Sequence, residues 1–486
     1  MHSIASVSPE ERIKDYRELQ KAGLICLDDD FFPSVHYPPI TMYHPITQEE
    51  LFKGYENPED KRFDVYAHIP FCKKCCVFCH YPNKFGDKWS EEKDFYLSMM
   101  EKEIDIYLRV LGLDRVLARS ILIGGGTPTY LTPAQLERFL RFFTAKVDTR
   151  LCTQFNYDVD PQTLLGTEGK QRLELLKSFG VDRLTIGVQA LNSDILQRMN
   201  RHHSVEEAVE SVHVCKEMGF QINIEFIFGY PGQTLDIWRK DIEKAVTLGV
   251  EEIQLYRLKV IPYGDQTGVI TKKFAGKRDD FVPVDETIRM KQTAMQILAE
   301  HGYLENLRRV FTRDKRHFSH YAHNQCCNLF DEIGFGLTAF SSLRDRFGLN
   351  TQYFEEYYSL IQQGRLPLNR GLVRSKDDQM RWSMVLPLKN REVYKKRYFN
   401  RTGLSLDQVF RNKIEKLKKC NLVIEDDKVV KLTPLGAFFA DEVCLSFHNL
   451  KYMPFSESAF APGELNPYHD YFEFPAGEFD ELATVA

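Results

Sequence analysis

Short apolar runs alternate with longer amphipathic segments between about Phe63 and Leu258. The short runs are often rich in β-branched residues, which favour strands, and the longer segments repeat apolar residues at helical spacing. The runs predicted to be strands are Val65 to Ile69, Ser120 to Ile123, Gln154 to Val159, Arg183 to Val188, Gln221 to Phe228 and Glu252 to Leu258. The segments predicted to be helices are Asp94 to Val110, Pro133 to Phe143, Gly169 to Phe179, Val205 to Met218 and Leu235 to Leu248.

This alternation predicts an α/β fold. Strands separated by helices form βαβ units, and such units give parallel strands with right-handed crossovers. The six predicted strands indicate a partial (β/α)6 barrel rather than a closed eightfold barrel. Functional side chains are then expected at the carboxyl ends of the strands.

The pattern changes after Pro262. A polar stretch from Thr271 to Val284 predicts a loop, a helix is predicted from Asp285 to Glu300, and irregular sequence follows as far as Asn328. The glycine-bearing segment Gly334 to Ser341 predicts a close approach of two backbone segments.

The stretch from about Ser375 to Phe447 predicts a winged-helix-like module. Its order is helix, helix, strand pair and helix, with a hairpin signal from Val423 to Val430. The module lacks a basic helix with interleaved aromatics, so we do not expect it to bind nucleic acid. The whole division predicted from the sequence is an N-terminal extension at 1–59, the barrel at 60–262, an accessory region that completes the active site at 263–372, the module at 373–450 and a tail at 451–486.

The composition is that of an ordinary soluble protein of 486 residues, with 43% hydrophobic and 27% charged residues. The formal net charge of −5 gives no general attraction to nucleic acid or to anionic membranes. No apolar stretch approaches the roughly 20 residues that span a bilayer. We therefore expect neither a nucleic-acid nor a membrane partner, and interpret basic runs such as Lys272-Lys273 and Lys416 to Lys419 as solvated faces.

Three cysteines, Cys72, Cys76 and Cys79, lie within eight residues directly after the first predicted strand. Three thiolates at this spacing can bind three irons of a 4Fe-4S cube and leave the fourth iron open to a small ligand. Zinc is one alternative, although His80 lies too close to Cys79 to complete a tetrahedral site easily. Disulfides are another, but the eleven cysteines are scattered and odd in number and no secretory leader is evident, so we expect a reducing, cytoplasmic setting.

The second predicted strand runs into the glycine run Gly124-Gly-Gly-Thr-Pro-Thr-Tyr130. Glycines let a backbone approach a ligand closely, and successive backbone groups can hydrogen-bond an amine or a carboxylate. Alone this run is weak evidence. Because it follows the cysteines at the end of the next strand, we expect it to belong to the same site.

These motifs resemble those of the radical S-adenosylmethionine enzymes, specifically the branch of the oxygen-independent coproporphyrinogen oxidases. The resemblance covers roughly residues 60 to 450, and its motifs occur in the family's order. The residues that carry it are Tyr66 to Cys72, the cysteine trio, Gly124 to Pro128, Asp158 to Pro161, Gly187 to Gln189, Asn200 to Ser204, Ile227 to Thr234 and His323-Asn324.

The resemblance implies a 4Fe-4S cluster on the three cysteines, with S-adenosylmethionine on the open iron, cleaved by an electron to a 5′-deoxyadenosyl radical. It implies a reducing electron donor such as flavodoxin or ferredoxin and a small-molecule substrate, and we expect a monomer. The positions matched to S-adenosylmethionine are Phe78 at the adenine, Gly124, Gly126 and Thr127 around the methionyl amine, and Gln189, Arg201 and Glu225 at the ribose and carboxylate. Each has an alternative: a surface ion pair for Arg201, a strand-end cap for Gln189 and a paired buried acid for Glu225.

Members of this branch can hold a second S-adenosylmethionine, and Tyr66, His68, Gly125 and Asp158 match positions associated with that site. Tyr66, His68 and Asp158 are also our candidates for a general base. His68 can equally be a satisfied core histidine. Asp158 stands where the family usually has a glutamate, and Glu225 stands where it usually has an aspartate. Both changes keep the negative charge and alter the distance of the carboxylate from the backbone.

The most informative departure is Tyr81, because coproporphyrinogen oxidases carry a further cysteine at this position. The leading hypothesis is therefore methyl or methylene transfer to an sp² carbon of an aromatic or olefinic substrate, giving methylation or cyclopropanation. Porphyrinogen oxidation is the first alternative. A haem chaperone is the second. In that relative the segment His323-Asn324 is followed by tyrosine and tryptophan, whereas Gln325-Cys-Cys327 follows here, and His320, His323, Cys326 and Cys327 are the possible iron ligands.

Overall fold

The structure is a computed structural model that describes residues 6–28, 36–260, 268–273 and 280–472. Its strands are β1 Arg62–Ile69, β2 Phe71–Cys72, β3 Lys84–Phe85, β4 Val116–Gly125, β5 Val147–Asp148, β6 Phe155–Val159, β7 Arg183–Gln189, β8 Gln221–Phe228, β9 Glu252–Arg257, β10 Leu304–Leu307, β11 Val310–Thr312, β12 Glu332–Phe335, β13 Phe340–Leu343, β14 Arg346–Asn350, β15 Leu368–Val373, β16 Glu392–Tyr394, β17 Val423–Glu425 and β18 Val429–Leu432.

The helices are α1 Pro9–Lys21, α2 Gln48–Phe52, α3 Ser90–Leu111, α4 Pro133–Lys146, α5 Gly166–Ser178, α6 Ser193–Arg198, α7 Val205–Glu217, α8 Leu235–Thr247, α9 Val269–Lys273, α10 Val284–Glu300, α11 His320–His323, α12 Phe354–Gln362, α13 Lys376–Lys389, α14 Lys395–Thr402, α15 Leu406–Lys419, α16 Pro434–Phe438 and α17 Ala440–Leu445. In the described ranges, no helix combines the length and the apolar character needed to cross a membrane.

The described chain forms two compact units. The barrel unit comprises His44–Gln325 and Phe330–Leu372, and the C-terminal unit comprises Met1–Tyr43, Cys326–Leu329 and Val373–Ala486. The five-segment division drawn from the sequence stays a prediction, and its boundary at 262–263 lies outside the described residues.

A ten-stranded sheet forms the wall of the barrel unit, with the strand order β10-β11-β9-β8-β7-β6-β4-β1-β12 and β5 beside β4. Neighbouring strands are parallel from β9 through β8, β7, β6, β4 and β1 to β12. The edge pair β10-β11 is not part of this parallel set. Helices alternate with these strands along the chain, as the apolar pattern requires. The predicted α/β fold with a partial (β/α)6 barrel is confirmed.

Side chains alternate between the two faces of the first strand. Phe63, Val65, Ala67 and Ile69 are fully buried apolar residues, whereas the residues between them are the polar or aromatic Asp64, Tyr66 and His68. Because successive side chains of a strand point to opposite faces, Asp64, Tyr66 and His68 share one face. The packing of the apolar side chains on the other face therefore fixes the position of any functional side chain on this face.

A buried ion pair joins non-neighbouring strands on the polar face of the sheet. Arg183 on β7 donates to Oε1 of Glu252 on β9 and to Oδ1 of Asn156 on β6, each at 2.6 Å. The backbone N–H of Ser319 donates to the other oxygen of Glu252 at 3.1 Å. Paired charges of this kind are tolerated in an interior only when their hydrogen bonds are satisfied.

Two sequence predictions differ from the structure. Thr271 to Lys273 belong to α9 and not to a loop, while residues 274–279 of that predicted loop lie outside the described residues. The region predicted to be irregular contains β10 and β11, which form a hairpin on the edge of the sheet. The pairing of β11 with β9 is a tertiary contact that a short local pattern does not reveal.

The predicted close approach at Gly334 to Ser341 is confirmed. A Cβ on Gly334 would lie 2.2 Å from the carbonyl oxygen of Phe340. Gly336 has φ +100°, and a Cβ there would lie 2.6 Å from the carbonyl oxygen of His68. The turn after β12 therefore packs directly on the backbone of β1.

The C-terminal unit contains the predicted helices and hairpin of a winged-helix-like module. Its sheet has the order β16-β18-β17, so one strand, Glu392–Tyr394, is added to the predicted pair. Arg381 on α13 is fully buried and holds this unit together: its Nε donates to Asp377 at 2.9 Å and its Nη2 donates to the carbonyl of Phe472 at 2.6 Å. The part of the tail up to 472 is thereby fixed to a helix.

Candidate functional site

The cysteine loop, residues 71–84, follows β1 and is anchored by backbone hydrogen bonds. Phe71 and Cys72 pair with Lys84 and Phe85, and the N–H of Gly86 donates to the carbonyl of Cys72 at 3.0 Å. These bonds close the loop on itself. The eleven cysteines, all within the described ranges, are free thiols.

Each of the three predicted ligand thiols has a donor next to its sulfur. Thr127 Oγ1 lies 3.5 Å from Cys72 Sγ, and Asn83 Nδ2 lies 3.8 Å from Cys79 Sγ. Arg201 Nη1 lies 3.2 Å from Cys76 Sγ. Donors beside a sulfur stabilise a thiolate and tune an iron-sulfur cluster bound to it.

Burial raises the pKa of the Cys72 thiol and raises that of Cys79 to about 12. The charges of the other two cysteines contribute to the shift at Cys72, so the thiols are close enough to interact. A metal that binds thiolates must displace these protons.

The residues around the loop fit an iron-sulfur cluster. Oδ1 of Asn83 and Nε of Arg201 are buried without a hydrogen-bond partner. A Cβ on Gly126 would lie 2.8 Å from Cys72 Sγ and 2.8 Å from Asn83 Oδ1, so the glycine leaves the space beside the sulfur open. Elsewhere in the described ranges, as here, no three His, Cys, Asp or Glu side chains converge as they would on one metal ion. The thiolates of a cube bind separate irons and do not have to converge.

Arg201 forms an ion pair with Asp160, and with side-chain exposures of 9% and 5% this pair is largely removed from the surface. Arg201 Nη2 donates to Asp160 Oδ2 at 2.8 Å and to the carbonyl of Gly187 at 2.7 Å. Although burial opposes ionisation, Arg201 and the neighbouring His202 hold the pKa of Asp160 well below its ordinary value. Gln189, with φ +69°, places its Nε2 3.1 Å from where a Cβ on Gly187 would lie. The structure therefore brings Gln189, Arg201 and the ligand Cys76 together.

Tyr66 and His68 form a hydrogen-bonded pair on the polar face of β1, with 2.9 Å between the hydroxyl and Nδ1. Burial lowers the pKa of His68 to about 3, so the imidazole is neutral at ordinary pH. A neutral imidazole carries its proton on one ring nitrogen only, so this bond runs from the Tyr66 hydroxyl to Nδ1 in one tautomer and from Nδ1 to the hydroxyl in the other.

Glycine is required in this run because polar side chains already occupy the space that a larger side chain would need. A Cβ on Gly124 would lie 2.6 Å from Asp158 Oδ2 and 3.4 Å from the Tyr66 hydroxyl. A Cβ on Gly125, which has φ +117°, would lie 2.9 Å from His68 Nε2. The four residues matched to a second S-adenosylmethionine, Tyr66, His68, Gly125 and Asp158, are thus neighbours at the carboxyl ends of β1, β4 and β6.

Asp158 and Glu225 are buried acids that interact with each other. Burial raises the pKa of both, and the charge of Asp158 raises that of Glu225 further. Asn156 Nδ2 donates to Asp158 at 3.2 Å and the Tyr256 hydroxyl donates to Glu225 at 3.2 Å. At neutral pH this pair retains a proton and can donate a hydrogen bond.

Thr338 is a site residue that sequence reasoning missed. Its Oγ1 lies 3.4 Å from Nδ1 and 3.5 Å from Nε2 of His68. It has φ +62° and occupies the third position of a turn closed by the bond from the N–H of Ala339 to the carbonyl of Gly336 at 3.2 Å. Glycine or asparagine normally occupies that position, and a β-branched residue there is strained. The glycines of this segment drew attention to it, but nothing local marks the threonine.

Tyr81 lies beside the hydrogen-bonded pair of Tyr66 and His68. Its side chain is exposed to 53%, yet its ring centroid is 5.6 Å from that of buried His68. Phe78 in the same loop is half-buried. The position that separates this chain from the oxidases is therefore beside the candidate catalytic pair.

The possible haem ligands are on α11 and on the helical turn Asn324–Asn328 that directly follows it. His320 and His323 line a cavity of about 230 Å³ together with Arg119, near the amino ends of β1, β4 and β6. Nδ1 of His320 lies 3.0 Å from Thr153 Oγ1. The cysteine pair Cys326-Cys327 belongs to the C-terminal unit.

Comparison with known families identifies two regions. The sequence model described as the radical SAM superfamily matches residues 66–245, and the one described as the HemN C-terminal domain matches residues 375–439. Residues 66–245 are therefore a radical SAM domain. This domain contains the cysteine loop and the glycine run, and the cofactors of the family are the 4Fe-4S cluster and S-adenosylmethionine.

Curated relatives of this chain include haem chaperones and oxygen-independent coproporphyrinogen III oxidases. The haem chaperone HemW of Bacillus subtilis is 28% identical over 391 residues, which cover 79% of this chain and 98% of the relative. The oxygen-independent coproporphyrinogen III oxidase of Pseudomonas aeruginosa is 24% identical over 451 residues, which cover 86% of this chain and 92% of the relative. The corresponding oxidase of Escherichia coli is 25% identical over 414 residues, with 80% and 86% covered.

Among solved structures, coproporphyrinogen III oxidase (HemN) from Escherichia coli, described as a radical SAM enzyme, superposes with a TM-score of 0.69. It is 24% identical, and the match covers 82% of this chain and 92% of that one. At this identity the likeness establishes the fold. The relatives favour the two alternatives of the sequence analysis, and they give no support to methyl transfer.

Proposed function

We propose that the chain is a radical S-adenosylmethionine oxidase that acts on the propionate side chains of a porphyrinogen, in the manner of oxygen-independent coproporphyrinogen III oxidase. The observation that carries the proposal is the extent of the similarity, which spans 92% of the Pseudomonas enzyme. It runs through both the barrel and the C-terminal module, so the parts of that oxidase have counterparts here.

The groups at the strand ends suit a substrate that carries several carboxylates. His68 is neutral, and in the tautomer with its proton on Nε2, beside Gly125, it donates a hydrogen bond to an anion. The proton retained by Asp158 and Glu225 reduces the repulsion that two carboxylates would exert on such a substrate. Strand ends hold these groups rigidly, which favours precise positioning.

The reaction converts a propionate to a vinyl group with loss of one hydrogen atom, one CO2 and one electron, and a separate one-electron acceptor takes up that electron. When bound, the cluster and S-adenosylmethionine would supply the 5′-deoxyadenosyl radical that accepts the hydrogen atom. The chain itself must position the substrate next to the cofactor and exclude water from the strand ends. Cys72, Cys76 and Cys79 hold the cluster, and Arg201 and Asn83 supply donors beside it.

Haem carriage is the second candidate, and two observations favour it. Tyr81 replaces the further cysteine of the oxidases, and the match to the Bacillus chaperone covers 98% of that protein. The segment after Asn324 argues against it, because Gln325-Cys-Cys327 stands where the chaperone has tyrosine and tryptophan.

An anaerobic assay of the reconstituted protein separates these functions. Coproporphyrinogen III, S-adenosylmethionine and dithionite are added, and porphyrins and nucleosides are quantified by chromatography. Vinyl-bearing products together with 5′-deoxyadenosine support the oxidase. Stoichiometric haem uptake without porphyrinogen conversion contradicts it in favour of the carrier. S-adenosylhomocysteine formed in step with 5′-deoxyadenosine contradicts it in favour of methyl transfer.

A further inference from the structure

A cavity of about 230 Å³ lies at the edge of the barrel sheet opposite to the cysteine loop, and its lining belongs wholly to the barrel unit. It is lined by Arg62 at the start of β1, by Arg119 near the start of β4 and by Thr153 just before β6. Because these strands are parallel, their amino ends meet at one edge of the sheet and their carboxyl ends at the other. The cavity is therefore separate from the three thiols and from the groups around them.

Arg119 is held rigidly in the wall of this cavity, where its side chain is only 9% exposed. Phe330 covers one face of the guanidinium, with 4.0 Å between Cζ and the ring centre. Nη2 donates to both carboxylate oxygens of Asp60, at 3.3 and 3.1 Å. The stacked ring and the ion pair together fix the plane of the guanidinium.

Nη1 of Arg119 is buried and has no hydrogen-bond partner among the described residues. Oδ2 of Asp64 lies 3.6 Å away, which is too long for a hydrogen bond. The Asp64 carboxylate instead accepts from Ser120 at 2.5 Å, from Asn324 at 2.8 Å and from Gln325 at 3.2 Å. A buried donor without an acceptor is costly, so nearly all such donors are paired. Nη1 therefore marks a place where an acceptor inside the cavity would bind.

The charges that line the cavity favour an acceptor with one negative charge. Arg62 and Arg119 both donate to Asp60, which is the only acid that lines the cavity among the described residues. Two cations and one carboxylate leave a formal charge of +1. Asp64 lies behind this lining, and burial raises its pKa to about 6, so an anion in the cavity would favour its protonated form.

The remaining wall of the cavity is aromatic. Phe318 is half-buried, and its ring centre lies 5.4 Å from that of His320 and 5.1 Å from that of His323. Burial lowers the pKa of His320, so this ring adds no charge at neutral pH. Pockets for drug-sized ligands span about 300–1,000 Å³, so this smaller cavity suits a molecule with a single ring.

We propose that this cavity binds a small planar monocarboxylate, with its carboxylate on Nη1 of Arg119 and its ring against Phe318. A carboxylate forms a charge-assisted hydrogen bond with a guanidinium N–H, and it supplies both the missing acceptor and the single negative charge. The ring buries apolar surface against an aromatic side chain. A phosphate would bring more negative charge beside Asp60 and no apolar surface. The proposal does not depend on the substrate of the site at the carboxyl ends of the strands.

Equilibrium dialysis of the full-length, anaerobically reconstituted protein with radiolabelled benzoate tests the proposal. We expect one benzoate to bind with a dissociation constant of about 1 mM or below. Benzamide, which has the same shape without the charge, and inorganic phosphate should each compete at least about tenfold less well. Equal competition by benzamide or stronger competition by phosphate would overturn the proposal. Absence of saturable binding would do so too, because a bound water would then suffice for Nη1.

Variants test where the benzoate binds. Arg119→Gln removes the donor, and Arg141→Gln, which removes an exposed cation paired with Glu137, is the control of equal charge change. We expect the affinity for benzoate to fall at least about tenfold in the first variant and to change less than about twofold in the second.

Two further variants keep the test decisive, because Arg119→Gln also leaves Asp60 without a partner and can disturb folding. Phe318→Ala should weaken benzoate at least about fivefold and leave competition by acetate unchanged. His68→Gln, at the other edge of the sheet, should bind benzoate as the wild type does. Normal binding in both Arg119→Gln and Phe318→Ala would overturn the proposal. Loss of binding in His68→Gln with normal binding in Arg119→Gln would also overturn it, because the anion would then lie at the carboxyl ends of the strands.

Discussion

The hydroxyl of Tyr66 lies 2.9 Å from Nδ1 of His68, two residues further along the same strand. Neighbours two positions apart in a strand share a face, so the backbone of β1 sets this hydrogen bond. Burial keeps His68 neutral, with a pKa of about 3. The pair is therefore a fixed hydrogen-bond relay at ordinary pH and not an ion pair.

The neutral state of His68 predicts a pH-dependent contribution to stability. The unfolded histidine binds a proton below about pH 6.5 and the folded one does not until about pH 3, so stability falls as the pH drops through this window, by at most about 1.4 kcal/mol per unit. His68→Gln keeps an acceptor for Tyr66 but does not titrate. We expect the variant to gain stability relative to the wild type as the pH falls from 6.5 to 4.5, measured by urea unfolding of the cluster-free proteins. Parallel curves for the two proteins would contradict a buried, neutral His68.

We predict that replacing Thr338 by glycine lowers activity without lowering stability. Thr338→Gly removes both the hydroxyl beside His68 and the strain at φ +62°, which costs about 1–3 kcal/mol in such positions. The added chain entropy of glycine offsets up to about 1 kcal/mol of that gain. We expect the glycine variant to be at least as stable as the wild type while its turnover falls. Thr338→Asn, which tolerates the same backbone conformation and keeps a polar side chain, serves as the matched comparison and should retain more activity.

The apolar pattern was sufficient to predict the barrel but not its polar interior. Strand Gln221–Phe228 has the predicted bounds, because its apolar run depends only on local sequence. The cysteine loop was found in the same way, since its ligands are adjacent in the chain. Thr338 was missed because its contact with His68 joins positions 270 residues apart. The edge strand β11 was missed for the same reason, since its partner β9 lies far away in sequence, and β10 forms a short hairpin with β11.

Arg201 is predicted to be required for retention of the cluster. Arg201→Met keeps the volume but leaves the Asp160 carboxylate and the Cys76 sulfur without their buried cation. Removing one member of a buried pair typically costs about 3–5 kcal/mol. Iron content and visible absorbance after anaerobic reconstitution should fall sharply, and the cluster-free protein should unfold at lower urea. Arg141→Met, which breaks an exposed pair with Glu137, is the control and should behave as wild type.

The two adjacent thiols Cys75 and Cys76 provide an internal test of the ligand set. Cys76→Ala removes a predicted ligand, so a reconstituted 4Fe-4S cube loses one of its three anchors and should be lost or converted to a smaller cluster. Cys75→Ala should keep iron, sulfide and S-adenosylmethionine cleavage, because the Cys75 thiol contacts only the carbonyl of Cys76. Equal iron content in the two variants would refute the assignment of Cys76.

Arg381 links the far end of the described chain to the middle of the sequence. The carbonyl of Phe472 accepts from a guanidinium that lies 91 positions earlier and has no exposure of its own. Truncating the chain at the end of the recognised C-terminal domain would remove the Phe472 carbonyl that accepts a hydrogen bond from Arg381. Water would then reach the helix around Arg381. Variants truncated at the domain boundary are therefore unsuitable for activity measurements. Loss of activity in them would show that the helix around Arg381 had unfolded and would say nothing about the catalytic groups.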